Sequence, residues 1–528
     1  MEKYTAINIG PIISTLSMAK RPRELWAASY MFSFFMECIL SELEKINPDA
    51  IISPAIDKGE KLAVGLYPDR VFVKGEIDAA GVLQRAFDMF VKAKSNSNSI
   101  PIDQEYINTM YVTIDFDETK VKAEDKDTIN ASPIRKLNYL LDCAELSNRT
   151  IKPKSWNNVA GFIRLKEKSP LYACTGNDKM YVPMLGEIAT HNVGGSKPEE
   201  WDLLCKKFRN PNLKQDESGF YKGIKELASL SYKSYYKYVC VVQADGDRMG
   251  TIVSSLPVDQ VKTLSKGLLN YCKIASTLIK NYGGFPIYAG GDDLLFIAPV
   301  VSGYAIDGES GDKWCNGELN TIFDLLDSID ASYQKEVDSL LHKMNCPKDK
   351  NGMRLHTTVS YGLSITYYKY PLYEALESAR TLLFGTAKNV EGKNAVAWCL
   401  RKNSGSELSG QLTKSAVPDS LYSYFKELMK YSVDDALVSA VAHKLRENDD
   451  LLAIILGKDK KRLDAFYEKV METEEGNDAS YKDVTENLLL ALYKENGSDS
   501  KQIDRIIELM YGMLRTAKFI NGEEDKDE

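Results

Sequence analysis

The sequence at positions 289–294 is Ala289-Gly290-Gly291-Asp292-Asp293-Leu294. A short apolar segment precedes it at 284–288, and another follows it at 294–298. Two apolar segments joined by paired glycines predict a β-hairpin, because glycine adopts the backbone angles that a tight turn requires. Adjacent carboxylates at the tip repel each other unless water or a cation neutralises them, and hard oxygen ligands suit Mg²⁺ or Mn²⁺. Glycine and aspartate are also ordinary turn residues, so this stretch alone leaves a plain surface loop open.

A second acidic turn follows an upstream apolar segment at 238–244. Its residues are Asp245-Gly246-Asp247-Arg248-Met249-Gly250. The pattern predicts a buried strand that ends at Asp245, followed by a turn whose backbone N–H groups can bind phosphate. An acid at a strand end, beside acids at the tip of a neighbouring hairpin, is how palm-type nucleotidyl transferases hold two metal ions. One ion lowers the pKa of the attacking hydroxyl, and the other steadies the triphosphate and the leaving pyrophosphate.

The segments around these turns follow the order of a ferredoxin-like βαββαβ palm domain. After the first strand the sequence predicts a helix near 258–281, the two hairpin strands, a helix near 319–344, a strand at 354–366, a helix at 372–388 and a strand at 394–399. Residues 1–130 show a similar order of strand, long helix, two strands at 50–52 and 63–73, and helix. The strand there that corresponds to 238–245 carries no acid at its end, so we predict a first palm without a metal site.

These patterns predict an α+β protein with four parts, in keeping with a length of 528 residues. We place the first palm-like domain at 1–130, an intervening part-helical domain at 131–232, the second palm with the Gly-Gly-Asp-Asp site at 233–405, and a C-terminal helical bundle at 406–528. The last seven residues form an acidic tail.

The composition is that of a soluble globular protein, with 44% hydrophobic and 27% charged residues. A net charge of -8 argues against nucleic-acid binding over the whole surface, although the chain could join an RNA-containing assembly whose other subunits contact the phosphates. Nine cysteines without a CxxC pair predict free thiols in a reducing compartment, so bound zinc is not expected. No apolar run reaches 18 residues and no secretory leader is present, so we expect a cytoplasmic protein without membrane contact.

The chain has four histidines, His191, His342, His356 and His443. None of them is followed by aspartate, so a histidine–aspartate phosphohydrolase site is not expected. We interpret His191 as a surface or core histidine rather than a ligand.

Further motifs occur in order along residues 1–405: GPI at 10–12, RELWAAS at 23–29, GLYPDR at 65–70, SYGLSIT at 360–366, KYPLYEAL at 369–376, AR at 379–380, AK at 387–388, GKNA at 392–395 and SG at 404–405. Together with the two acidic turns, they resemble the large, polymerase-like subunit of type III-B CRISPR effector complexes, the Cmr kind. The resemblance implies two palm domains packed face to face, with a helical domain between them and another at the C-terminus. It implies smaller Cmr subunits, CRISPR RNA and target RNA as partners. It also implies conversion of ATP into an adenylate signal when target RNA is bound.

The resemblance assigns roles within the site. It implies Asp245 and Asp292 as ligands of the catalytic metal, and Asp293 as a second ligand or as the group that organises the attacking hydroxyl. The residues expected to bind the nucleotide are Gly246, Asp247, Arg248, Met249, Gly250, Gly290 and Gly291. We do not expect Asp247 to contact the metal.

Two basic residues are candidate phosphate ligands. The motifs at 387–388 and 392–394 are also similar to elements of diguanylate cyclases, in which basic residues hold the triphosphate. We therefore expect Lys388 and Lys393 to bind phosphate, with a solvated helix end as the alternative. Tyr367 and Tyr368 stand where relatives often have histidine, which leaves the edge of the pocket undefined.

The sequence departs from many relatives in two ways. It begins directly at the first palm, without a histidine–aspartate nuclease domain, so no DNA cleavage is expected. It also lacks the clustered cysteines of a zinc site. Reduced relatives include those that join AMP to S-adenosylmethionine, so the expected product is a cyclic oligoadenylate or an S-adenosylmethionine–AMP conjugate. A non-catalytic ATP-binding scaffold and a free-standing diguanylate cyclase are the alternatives, and the intact acids weigh against the scaffold.

Overall fold

The computed structural model describes residues 1–59, 61–92, 100, 102, 104–121, 128–147, 159–164, 170–175, 181–209, 217–229, 232–306, 319–344, 354–430, 444–445, 447–456, 460–471, 479–496 and 500–521. Within these ranges, no helix combines the length and the apolar character needed to cross a membrane. The predicted acidic tail lies outside the described residues.

The N-terminal part forms a four-stranded antiparallel sheet with the strand order β2-β3-β1-β4. The strands are β1 (Glu2–Gly10), β2 (Ile51–Ser53), β3 (Arg70–Lys74) and β4 (Asn108–Phe116), and the helices are α1 (Ile12–Leu16), α2 (Pro22–Ile46) and α3 (Ala79–Lys92). Successive β1 side chains point to opposite faces, so Ile7 packs with α2 and α3, whereas Tyr4 packs with α4 (Pro133–Ser147). This order of strands and helices is the predicted ferredoxin-like arrangement.

Two predicted boundaries in this part are wrong. The helix expected over 14–46 is divided into α1 and α2, and Pro22 begins α2 because proline suits the first helical turn. The strand expected over 63–73 begins only at Arg70. Gly65 instead forms an isolated bridge to Tyr288 of the second sheet. The backbone before Arg70 therefore contacts the second sheet and does not extend β3 of the first sheet.

Short helices follow between the sheets. They are α5 (Pro170–Cys174), α6 (Leu185–Ala189), α7 (His191–Ser196), α8 (Pro198–Arg209) and α9 (Glu217–Ala228). His191 at the start of α7 stacks on Tyr304, with ring centroids 4.6 Å apart, and packs edge-on against Trp201. These contacts agree with the interpretation of His191 as a packing residue.

The second sheet has six strands in the order β12-β11-β10-β5-β7-β6. Its elements are β5 (Tyr238–Gly246), α10 (Met249–Ser255), α11 (Val258–Asn281), β6 (Phe285–Gly290), β7 (Asp293–Pro299), the short pair β8 (Val301–Ser302) and β9 (Asn320–Thr321), α12 (Ile322–Tyr333), α13 (Ser339–Lys343), β10 (Val359–Tyr367), α14 (Leu372–Thr381), β11 (Ala395–Arg401) and β12 (Glu407–Thr413). The inner order β10-β5-β7-β6 is that of a second ferredoxin-like unit.

The C-terminal helices follow β12, and the first and the last of them pack on β11 and β12. They are α15 (Leu421–Leu428), α16 (Asp449–Leu456), α17 (Lys460–Met471), α18 (Ala479–Asn496) and α19 (Ser500–Asn521). Trp398 of β11 is fully buried, stacks on Phe425 of α15, and donates its indole N–H to Thr516 of α19 at 3.1 Å. These contacts join the helical bundle to the outer part of the second sheet.

The two palms meet at the edge strand β6, beside the hairpin tip. Ala289 donates its backbone N–H to the carbonyl of Gly65 at 2.8 Å, and the Ser29 hydroxyl of α2 donates to the carbonyl of Ile287 at 3.3 Å. A segment of the first palm therefore lies next to the acidic hairpin of the second.

Candidate active site

The Gly-Gly-Asp-Asp stretch forms the tip of the predicted hairpin. Gly290 pairs with Asp293, so Gly291 and Asp292 form the connection between β6 and β7. Gly291 has a φ of 68°, a conformation that favours glycine. Gly246 at the end of β5 lies against the tip, because a Cβ there would come within 2.7 Å of the Asp292 side chain. Both glycines thus serve the close approach of the two acidic turns.

Strand β5 brings Asp245 to the same place. Ala244 pairs with Leu294, so the next position along β5 lies beside Asp293 at the start of β7. The Asp245 side chain is close enough to Asp293 to contribute to the raised pKa of Asp293. The three acids expected to bind metal therefore come from two neighbouring strand ends, as the sequence predicted.

The electrostatics of the hairpin favour neutralisation of its acids. Burial, and then the charge of Asp245, raise the pKa of Asp292 to about 7. Burial, and then the charges of Asp292 and Asp245, also raise the pKa of Asp293. Like charges in a partly enclosed site raise each other's pKa, and a divalent cation removes that cost. The donor set of carboxylate oxygens fits Mg²⁺ or Mn²⁺.

The three carboxylate groups do not approach one another closely enough to share one ion in this structure. Among the described residues, they do not present one oxygen each within 4.8 Å of one another. The ammonium group of Lys388 contacts the Asp245 carboxylate directly.

Lys388, which is expected to bind phosphate, contacts protein groups in this structure. Its ammonium group donates to the backbone carbonyls of Asp245 and Gly246, both at 2.8 Å, and to Asp247 Oδ1 at 2.9 Å. Its side chain is only 10% exposed. Although burial lowers the pKa of a lysine, the charges of Asp245 and Asp247 and their hydrogen bonds raise the pKa of Lys388. Protein acceptors occupy the donors of Lys388, so it braces the acidic turn.

Asp247 lies behind the site rather than in it. Its buried carboxylate accepts hydrogen bonds from Thr358 Oγ1 at 2.7 Å, Ser360 Oγ at 2.8 Å and the backbone N–H of Asn394 at 3.0 Å. Burial alone raises the pKa of such a group, but the hydrogen bond and charge of Lys388 outweigh it and lower the pKa of Asp247. The acceptor positions of Asp247 are used within the protein, so Asp247 positions the acidic turn, and its expected contact with a nucleotide stays a prediction.

The remaining expected nucleotide ligands divide by exposure. Met249 is buried, whereas Arg248 and Gly250 are exposed at the start of α10, and Arg248 has the left-handed φ of 63°. Lys393 is half-buried with a φ of 61°, in a loop that the neighbouring Asn394 attaches to the acidic turn. Arg248 and Lys393 are thus accessible to solvent, and their expected contact with phosphate stays a prediction.

The first palm supplies an acid that the sequence analysis missed. A cavity of about 280 Å³ lies between the palms, lined by Tyr67 and Asp69 of the first and by Gln243 and Asp293 of the second. Burial raises the pKa of Asp69, and the charge of Asp69 adds to the raised pKa of Asp293. Asp69 does not follow a strand as Asp245 does, because it precedes β3 and reaches the site only through packing of the two sheets. The only feature of the sequence that indicated a role for Asp69 was its position in the motif at 65–70.

Comparisons with known proteins agree with this architecture. The family model "Cas10/Cmr2, second palm domain" matches residues 238–397, and the model "CRISPR-associated protein Cmr2, N-terminal" matches residues 4–110. The CRISPR system Cmr subunit Cmr2 of Pyrococcus furiosus is 29% identical over 236 residues. That match covers 38% of this chain and 23% of the relative, so the chain spans less than a quarter of that protein's length.

Two solved structures share the fold. A chain of the type III-B Cmr-beta complex in its apo state matches with a TM-score of 0.59 and 12% identity, over 99% of this chain and 82% of that one. A chain of a Csm1–Csm4 cassette in complex with cA4 matches with a TM-score of 0.50 and 15% identity, over 98% and 70%. The two family models together match about half of the sequence. The model of the second palm domain spans all three acids of the site. As its motifs predicted, the chain belongs to the Cas10/Cmr2 family.

Proposed function

We propose that this chain transfers the adenylyl group of ATP to a hydroxyl acceptor, as the polymerase-like subunit of a Cmr-type complex with CRISPR RNA. The observation that carries the proposal is the position of Asp245, Asp292 and Asp293 at two adjacent strand ends, where burial and then the neighbouring negative charges raise the pKa of both hairpin acids. Carboxylates arranged in this way hold divalent cations for phosphoryl chemistry. The fold shared with a Csm1–Csm4 chain solved with cA4 supports a nucleotide substrate.

The proposed reaction is a displacement at the α-phosphorus of ATP. The acceptor oxygen forms a bond to that phosphorus, the bond to the bridging β-phosphate oxygen breaks, pyrophosphate leaves, and the hydroxyl proton passes to solvent. Bound Mg²⁺ or Mn²⁺ would lower the pKa of the hydroxyl and neutralise the phosphates. Asp292 and Asp293 would supply the negative charge that holds the cations, and Asp245 would be the third ligand. We expect Arg248 and Lys393 to contact the triphosphate, because Arg248 is exposed and Lys393 is half-buried.

The cavity between the palms is the proposed acceptor site. Its lining includes Asp293, the acids Asp69 and Glu377, and the single cation Arg380. The lining is net acidic, because it has three acids and one cation. The cation, Arg380, lies 4.0 Å from Glu377. An acidic lining favours a cationic acceptor such as S-adenosylmethionine over a second triphosphate, whereas an adenylate acceptor would lead to a cyclic oligoadenylate.

Reconstitution tests the activity. The chain is assembled with its Cmr-type partner subunits and CRISPR RNA, then incubated with target RNA, Mg²⁺ and labelled ATP. We expect an adenylate product from the wild type and none from the Asp292→Ala, Asp293→Ala double variant, whose complex still assembles because the changed side chains lie at a hairpin tip. ATP binding without turnover in the wild type would instead support the scaffold function, and a cyclic dinucleotide made from GTP would support a diguanylate cyclase.

The acceptor is tested by substrate dependence, since either product needs the same acids. Activated complex is supplied with ATP alone and with ATP plus S-adenosylmethionine, and the products are identified by mass spectrometry. A conjugate that forms only in the second sample supports the cationic acceptor. Oligoadenylates from ATP alone, with no new species when S-adenosylmethionine is added, assign the cyclic product.

A further inference from the structure

A second group of potential metal ligands lies outside the hairpin site. Asp338, in the single turn of π-helix between α12 and α13, and His342 of α13 are four residues apart and therefore share one helical face. His356 lies just before β10 and approaches the same face. In the part of the chain that the structure describes, this is the one set of three such side chains whose ligand atoms all lie within 4.8 Å of one another.

The three ligand atoms form a nearly equilateral triangle. His342 Nε2 lies 3.2 Å from Asp338 Oδ2 and 3.2 Å from His356 Nδ1, and His356 Nδ1 lies 3.4 Å from Asp338 Oδ2. A tetrahedral ion with bonds of about 2.0–2.1 Å separates its ligands by about 3.3 Å. The triangle therefore has the dimensions of one face of a tetrahedral zinc site.

Hydrogen bonds alone do not account for all three contacts. If both imidazoles donate to Asp338, the N–H groups of His342 and His356 point at each other and repel. If one histidine donates to the other, the accepting nitrogen carries a lone pair, which then faces the Asp338 carboxylate without a proton between them. A single cation at the centre of the triangle satisfies all three atoms at once.

The surrounding contacts hold the carboxylate in place. Asp338 Oδ1 accepts the backbone N–H of Thr357 at 3.0 Å, which leaves Oδ2 directed at the two histidines. The Thr357 hydroxyl in turn donates to the backbone carbonyl of Asp247 at 2.7 Å. Such outer hydrogen bonds orient metal ligands. They also connect this group to the acidic turn of the hairpin site.

We propose that Asp338, His342 and His356 bind a transition-metal ion of the zinc class, distinct from the hard cations of the hairpin acids. Two imidazole nitrogens and one carboxylate suit Zn²⁺ better than Mg²⁺, which prefers oxygen ligands. His356 is 61% exposed on its side chain, so solvent can supply the fourth ligand. The ion joins the helical segment to the start of β10, and it thereby steadies the strand that holds Asp247. The absence of clustered cysteines does not bear on this site, because it uses none.

The test measures zinc binding by the full-length chain. Protein stripped with a chelator is titrated with Zn²⁺ by calorimetry, its zinc content is measured by elemental analysis, and Co²⁺ serves as a spectroscopic probe of tetrahedral geometry. We expect one equivalent of Zn²⁺, a tetrahedral Co²⁺ spectrum and a higher Tm with zinc. His342→Gln and His356→Gln should each weaken binding by more than the roughly 10–100-fold typical of outer-shell changes.

Two further variants distinguish zinc binding by this triangle from zinc binding at the hairpin acids. Asp338→Asn keeps an oxygen for the Thr357 N–H but loses the carboxylate charge, so it should fold normally and bind zinc weakly. The Asp292→Asn, Asp293→Asn variant should retain the full equivalent, because its changes lie in the hairpin site. A wild-type chain that takes up no zinc, or a His342→Gln, His356→Gln double variant that retains the same zinc content and Co²⁺ spectrum, would overturn the proposal. The wild-type measurement decides the matter even where a variant fails to fold.

Discussion

Replacing Asp292 with asparagine removes one of the like charges at the hairpin tip while keeping the size of the side chain. In the metal-free chain, burial and the charge of Asp245 raise the pKa of Asp292 from 3.8 to about 7. The folded state therefore loses stability as the pH rises between those two values, and the loss is complete above the higher one. We expect Asp292→Asn to stabilise the metal-free chain at pH 8, with an advantage that shrinks towards pH 4.

The magnitude follows from the pKa. One pKa unit corresponds to about 1.4 kcal/mol, so a rise from 3.8 to about 7 sets an upper limit of about 4 kcal/mol. Asp292 keeps contact with solvent, which screens part of the repulsion, so we expect an increase of about 1–2 kcal/mol in the free energy of unfolding. For a unit the size of the second palm this corresponds to a Tm increase of roughly 3–6 °C.

The assay is a thermal melt in the presence of a chelator, between pH 4 and pH 8, with Asp88→Asn as the control at an exposed acid of α3. Saturating Mg²⁺ should reverse the order, because the ion stabilises only the chain that keeps its ligand. A Tm difference between wild type and Asp292→Asn that does not change with pH, or an equal gain from Asp88→Asn, would refute the repulsion between the acids.

Three further substitutions test the other parts of the second palm, and a fourth tests the cavity. Lys388→Ala leaves buried carboxylates without their cation and should cost about 3–5 kcal/mol of stability, measured by denaturant unfolding. Lys393→Ala should leave stability within about 0.5 kcal/mol and raise the KM for ATP; an unchanged KM would return Lys393 to a solvated loop. Gly246→Ala forces a Cβ to within 2.7 Å of the hairpin carboxylate and should lower the Tm by a few degrees, whereas Gly250→Ala, with open space around it, should not. Asp69→Asn should raise the KM for the acceptor and leave the KM for ATP unchanged, and equal changes in both would contradict a separate acceptor cavity.

The sequence by itself determined the two palms and the location of the acids. Apolar segments of strand length, separated by helices and joined by the paired glycines, produce the ferredoxin-like order because each pattern is local and repeats with the period of its own element. The hairpin between β6 and β7 follows from its glycines, and Asp245 follows from the end of a buried strand. These features depend on neighbours in the chain and could be predicted.

Only the tertiary structure decided which partner each charged group meets. Lys388 contacts Asp245 across 143 positions, and Asp69 reaches Asp293 from the other palm, although neither relation leaves a periodic signal in the sequence. The same holds for His342 and His356, which meet only because β10 returns beside the helical segment. Burial, repulsion and hydrogen bonding act over a few ångströms in space, so the protonation and contacts of these groups follow from packing rather than from residue order.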